Sequence, residues 1–198
     1  KLLLRISGIV GGEELRSMPL RLRYGRRLSW LSLNILLNLV GAMVIAAYTG
    51  TLEKFIALAV FLPIISDMSG CSGNQAVAVS IREITLGFLR PRDFLRVLLK
   101  EAAVGLLNGV ALGVLLAIVA QAVQHFVLPG PASLLLSIVV GSSLAINTLV
   151  SVCFGGLLPL VLKALHLDPA LVSGPMLTTV TDMCGFFLVL GLATAVMA

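Results

Sequence analysis

The sequence predicts an all-helical integral membrane protein that crosses the bilayer five times, and three observations carry that expectation. Apolar residues make up 59% of the 198 positions and charged residues 12%. The mean hydropathy of +1.09 lies far above that of a water-soluble domain of this size. The charges gather between apolar blocks rather than along them. A soluble globule is therefore excluded. Three scattered cysteines and the lack of a long polar, low-complexity stretch argue against a disulfide framework and a disordered tail. The formal charge of +5 does not indicate a nucleic-acid partner, because no basic face is interleaved with base-stacking aromatics.

A hydrocarbon core of roughly 30 Å needs about 20 apolar residues in helical form, and five stretches meet that length. They run from about Leu28 to Tyr48, Phe55 to Phe88, Phe94 to Val123, Ser133 to Leu165 and Leu171 to Val196. The second carries a Gly, Ser and Asn cluster near its middle, which predicts a broken or opened helix there. Residues 1–27 are too polar and basic for a signal peptide and read as a cytoplasmic connector ahead of a transmembrane domain spanning 28–198. The same basic residues would also serve as an anchor on anionic lipid.

Orientation follows from the basic residues, which are retained on the cytoplasmic side during insertion. The N-terminal arm holds seven: Lys1, Arg5, Arg16, Arg21, Arg23, Arg26 and Arg27. The connections then hold Lys54; Arg82, Arg90, Arg92, Arg96 and Lys100; none; and Lys163, with none at the C-terminus. The alternation places the N-terminus inside and the C-terminus outside, as an odd number of spans requires. A plasma membrane, and a bacterial inner membrane in particular, is the expected location.

Two acids fall midway through spans. Asp67 lies twelve residues after Phe55, roughly 18 Å into the bilayer at helical rise, and Asp182 lies at a similar depth from the other face. A carboxylate at that depth needs a partner, a proton or a water-filled cavity. Neither has Lys or Arg within several turns of its own helix, so a cavity that carries cations is the leading account. A protonated carboxyl bonded to a neighbouring helix is the alternative. Asp67 precedes Ser69, Gly70, Cys71, Ser72, Gly73, Asn74 and Gln75. Gly70 and Gly73 alone would suit a close helix contact, but Asn74 and Gln75 are unnecessary for one. Asp182 follows Thr178 by four residues, so both share a helix face. Hydroxyls, carbonyls and a carboxylate are hard oxygen donors suited to Mg²⁺ or another divalent ion that keeps most of its waters.

Cys71, Cys153 and Cys184 form no spaced metal set and read as small buried apolar residues. His125 and His166 fall in connections on opposite sides, where they are solvated. The echo between Ser66 to Gly70 and Thr181 to Gly185 is short enough for chance.

Pro63 to Gln75, Arg82, Arg92-Asp93-Phe94, Leu158-Pro159-Leu160 and Asp168 to Pro175, followed by Thr178, Thr179 and Asp182, together resemble the transmembrane domain of the MgtE family of magnesium channels. The resemblance runs from about Trp30 onward. It implies a homodimer of five-helix protomers with a pore on the two-fold axis between the second and fifth spans. It implies that Asp182 binds hydrated Mg²⁺ with help from the Thr178 carbonyl, and that Gly70 and Asn74 line the pore. It also implies cytosolic regulatory domains of the same polypeptide, joined through residues 1–27. Three positions depart from the family pattern: Ala78 replaces a usual hydroxyl residue, Cys71 a common asparagine, and Asp67 a neutral residue. Asp67 is then a second acid of the pore or its outer approach. Co²⁺ and Mn²⁺ stand beside Mg²⁺ as candidate ions.

The expected function is passive conduction of a hydrated divalent cation, with no enzymatic step. An ion-coupled transporter using H⁺ or Na⁺ would employ the same carboxylates. An intramembrane aspartyl protease also needs two carboxylates at the midplane, but Ser66-Asp67 and Thr181-Asp182 match neither the Tyr-Asp nor the Gly-x-Gly-Asp motif of presenilin-like proteases.

Overall fold

The structure is a computed structural model that describes residues 18–127, 133–166 and 169–197. Lys1, Arg5, Arg16 and Asp168, which entered the expectations above, lie outside these residues. Among the described residues six α-helices follow one another: α1 (Leu20–Ala47), α2 (Thr49–Lys54), α3 (Leu58–Thr85), α4 (Phe94–Phe126), α5 (Leu134–Ala164) and α6 (Pro169–Met197). The described chain is all-helical. Four of these helices are long and apolar enough to cross a membrane: α1, α4, α5 and the Ser173–Met197 part of α6. α3 is as long as α1, but its middle is diluted by the polar run from Ser66 to Gln75.

Local chemistry sets most of the boundaries. Pro19, extended at φ −55° and ψ 137°, precedes α1, which therefore starts at Leu20 and carries Arg21, Arg23 and Arg27 in its first turns. α3 ends on Gly87 at φ +78°, where the Phe88 amide bonds the Glu83 carbonyl (2.9 Å) and the Gly87 amide bonds that of Ile84 (3.2 Å). Only glycine enters this left-handed closing turn without strain. A 3₁₀ turn, Pro91–Asp93, then leads into α4, with the Asp93 carboxylate accepting from the Arg90 amide at 2.9 Å. Ser133 caps α5 by accepting from the Leu136 amide. Gln124, buried at the end of α4, closes that hairpin by donating to Ser137 Oγ (2.9 Å) and accepting from the Ser133 amide (3.0 Å).

α3 is continuous, contrary to the expected break. The helix passes through Pro63, which removes only one backbone donor, and through the whole cluster from Gly70 to Gln75. The small residues there serve packing rather than an opened backbone. Ser72 Oγ bonds back to the Met68 carbonyl at 3.1 Å. Gly73 sits so close to α5 that an added Cβ would collide with Ser151, and the reciprocal position Gly155 meets the Gly73 carbonyl.

α5 lies at the centre, packed against α3, α4 and α6, while α1 rests chiefly on α6. In their most apolar stretches α5 is 56% buried and α1 6% buried, so α1 presents nearly its whole apolar surface outward. Ile35, Leu36, Leu107 and Ile118 are among the large apolar side chains left exposed on α1 and α4. Water would not tolerate such a surface, whereas lipid does. One apolar core, including Phe61, Ile65, Val140, Leu144 and Leu190, joins α3, α5 and α6 with the end of α4.

Contact between α4 and α5 rests on glycines spaced by four. A Cβ on Gly109 would stand 2.5 Å from the Ala145 carbonyl oxygen, one on Gly113 2.6 Å from that of Gly141, and one on Gly105 3.3 Å from Leu149. The Gly109→Ala variant is expected to lose about 1–3 kcal/mol, because the obstacle is rigid backbone. Gly25→Ala, with nothing within 4 Å, should be neutral or slightly stabilising. Thermal unfolding of both variants in detergent or lipid checks the pair.

Candidate functional site

α3 and α6 cross where their two polar runs meet. Ser66 of α3 donates its hydroxyl hydrogen to Asp182 Oδ1 of α6. One turn further along, Gly70 faces Thr181, with an added Cβ standing 3.7 Å from its Oγ1. The lack of a side chain at Gly70 keeps this crossing open, while Ser66 supplies the half-buried carboxylate with a polar partner.

Asp182 is half-buried. Behind it lies Gly41, the one residue of α1 that is buried among the described residues, whose added Cβ would lie 3.5 Å from Asp182 Cβ and 3.4 Å from the Phe186 ring. On the side of α5, Asn147 Nδ2 donates to the Thr181 carbonyl at 3.1 Å. Along α6, Thr181 Oγ1 donates to the Thr178 carbonyl at 2.9 Å, and Thr178 Oγ1 to that of Gly174 at 3.1 Å. The Thr178 carbonyl also belongs to the helical ladder of α6, so both of its lone pairs are engaged.

The sequence-derived candidates separate into two groups. Asp182 and Gly70 are drawn into the α3–α6 crossing. Asn74 lies one turn beyond Gly70 and is exposed, as is Thr178. Asp67 is exposed and carries no hydrogen bond or ion pair among the described residues. Ser66, its neighbour, is the residue that reaches Asp182.

Every polar atom placed around Asp182 is oxygen or amide nitrogen. Among the described residues no three His, Cys, Asp or Glu side chains gather into a metal cage. A single carboxylate with one hydroxyl partner, beside a helix turn whose hydroxyls bond its own carbonyls, suits outer contact with a hydrated cation rather than full stripping of its water. The cysteines stand apart from this group. Cys153 and Cys184 are half-buried, but Cys71 is exposed rather than buried as expected, because it lies on the side of α3 away from Ser69 and Ser72. His125 and His166 are exposed, His125 edge-on to Phe126.

Two contacts are not anticipated by the sequence. Ser66 is visible there only as part of a polar run, and its register against Asp182 depends on how α3 and α6 cross. Asn147 does carry a signal, being an amide inside an otherwise apolar span. A groove of about 480 Å³ between α4 and α5 is lined mainly by apolar side chains and shares no residue with the Asp182 group.

The family model for MgtE, described as a divalent cation transporter, matches residues 62–192. The chain is 33% identical over 170 residues to the magnesium transporter MgtE of Bacillus subtilis, covering 86% of this chain and 36% of the relative. It is 36% identical over 167 residues to the magnesium transporter MgtE of Thermus thermophilus, covering 84% and 35% respectively. With the magnesium transporter MgtE of Enterococcus faecalis the identity is 30% over 193 residues, 96% of this chain and 41% of the relative. The chain thus spans 35% to 41% of the length of these curated relatives.

The Ser66–Asp182 bond is testable as a pair. In a double-mutant cycle of Ser66→Ala and Asp182→Ala, thermal unfolding should reveal a coupling of about 1 kcal/mol, the order of one hydrogen bond. Simple additivity of the two variants would show that the two side chains do not interact.

Proposed function

The chain belongs to the MgtE family of divalent cation transporters, and on that premise we propose that it forms a passive Mg²⁺ channel in which Asp182 attracts the hydrated ion. The observation that carries this reading is the crossing of α3 and α6, where one half-buried carboxylate takes a hydroxyl hydrogen from Ser66 and is paired with no basic side chain among the described residues. The relatives' designation as magnesium transporters supports the ion, and Co²⁺ and Mn²⁺ are competitors to be ranked.

The proposed assembly is a homodimer of five-span protomers in a bacterial inner membrane, with the N-terminus cytoplasmic and the C-terminus outside. In it, α3 and α6 of both copies line a pore on the two-fold axis. α3 then is a span that faces an aqueous path rather than lipid, which accounts for its polar middle. Gly70, Asn74 and Thr178 line that path, and Asp67 adds charge to the pore or its approach. Exposure of Asn74, Thr178 and Asp67 in a single protomer fits an aqueous or intersubunit face. Residues 1–27 are proposed as the joint to cytosolic regulatory domains of the same polypeptide.

Electrostatics gives the mechanism. Two Asp182 carboxylates related by the axis would attract a divalent ion strongly at low dielectric. Because the ion keeps its waters, binding stays weak enough for release, as conduction demands. The Thr178 carbonyl, already accepting from Thr181, then acts mainly through its dipole.

Reconstituted protein assayed for Mg²⁺ flux in liposomes tests this directly. Asp182→Asn should reduce flux by more than about tenfold, since it removes the acid from a low-dielectric site, while Asp67→Asn should leave most of it. Undiminished flux in Asp182→Asn would overturn the assignment. A requirement for a proton or sodium gradient would replace the channel by a coupled transporter, and a monomeric mass in native detergent would remove the shared pore.

A further inference from the structure

Asn147 is fully buried in the middle of α5, away from the path proposed for the ion. Its amide nitrogen donates to the carbonyl of Thr181, the residue directly before Asp182. Since a carbonyl can only accept, the partner fixes which end of the amide is nitrogen. The amide oxygen is left buried and without a partner among the described residues.

That arrangement is a poor source of stability. One hydrogen bond contributes about 0.5–1.5 kcal/mol, whereas a buried unpaired polar atom costs about 1–3 kcal/mol. An apolar residue at this position would avoid the loss. The glycine facing it is equally specific: a Cβ on Gly185 would stand 2.7 Å from Asn147 Nδ2. Gly185 of α6 therefore provides the space in which the Asn147 amide reaches the α6 backbone.

The bond continues toward the ion site. Asn147 holds the Thr181 carbonyl, the Thr181 hydroxyl donates to the Thr178 carbonyl, and Asp182 follows Thr181 in the chain. With Ser66 gripping the carboxylate from α3, the turn from Thr178 to Asp182 is fixed from two sides. We infer that Asn147, together with the space left by Gly185, is a positioning device that sets the rotation and height of this turn and thereby the affinity of the site for its cation. The inference rests on the proposed role of Asp182 and adds to it the residue on α5 that sets the site's geometry.

The test measures Mg²⁺ flux in liposomes against Mg²⁺ concentration, beside the thermal midpoint of each purified protein. Asn147→Ala and Gly185→Ala are each expected to raise the half-saturating concentration by about tenfold, the lower end for residues that orient a metal-binding group. The double variant should be no worse than either single one, because both break the same contact. A purely structural role predicts lower thermal midpoints and less active protein with an unchanged half-saturating concentration. That result in both single variants, or fully additive effects in the double variant, would overturn the inference. If Asn147→Ala does not fold, Gly185→Ala reports alone, since it keeps Asn147 and displaces only its amide. Asp182→Asn in the same assay separates the two levels. Wild-type flux there defeats the underlying reading, whereas lost flux there with unshifted half-saturation in the other variants defeats only the role of Asn147.

Discussion

Backbone-to-backbone contact around α5 is the constraint on which the rest of the structure depends. Apolar side chains gain little by leaving lipid for one another, so helices in a bilayer are held by van der Waals fit and a few hydrogen bonds. α5 meets that requirement on three sides with small residues. It meets α4 through Gly141 and Ala145 opposite Gly113 and Gly109, α3 through Gly155 and Ser151 opposite Gly73, and α6 through Asn147 opposite Gly185. Hydrogen bonds from Ser151 to the Ser69 carbonyl (2.6 Å) and from Ser80 to that of Gly156 (2.7 Å) pin α3 to α5 along its length. The two helices that carry the polar runs, α3 and α6, are therefore placed by a third, α5, packed against both.

Packing within the protomer is correspondingly uneven. α1 packs chiefly on α6, and Gly41, its one buried residue among those described, lies against Asp182 and Phe186. Within the protomer few buried contacts hold this helix, in contrast to α5. Near the other end of α6, a bond of 2.7 Å between Thr51 of α2 and Thr194 ties the connection after α1 to the bundle. α1 thus has a fixed point beyond its C-terminal end and a light contact at the level of the carboxylate, while its basic N-terminal turns project from the packed helices.

Much of this is legible in the sequence, within a definite limit. Helical class and five long apolar or semi-polar helices follow from composition and span length, and the cost of a mid-span charge singles out Asp182 as an acid that needs a partner. All of these are properties of one segment at a time. The continuity of α3 is not such a property, because its Gly, Ser and Asn residues are equally compatible with a broken helix and with tight packing. Only the presence of Ser151 and Gly155 on the facing helix decides between them. The stripe Gly105, Gly109 and Gly113 is present in the sequence, and it identifies α4 as a close-packing helix without reference to any partner. Ser66 with Asp182, and Asn147 with Thr181, join residues more than 30 positions apart, and their register is set by helix crossing angles that a single sequence does not encode.

The distribution of charge along the helices follows from the same physics. Among the described residues, Arg21, Arg23, Arg27, Lys54, Arg82 and Lys163 stand at helix ends, and Arg90, Arg92, Arg96 and Lys100 cluster around the α3–α4 turn. None of these lies near the middle of a long helix, although a basic side chain there would have neutralised Asp182 at once. Asp182 has a neutral hydroxyl for its partner. In the role proposed for Asp182 a permanent counter-charge would compete with the ion, and the fixed groups beside it are dipoles: the hydroxyl of Ser66 and the carbonyls of the turn that Asn147 holds.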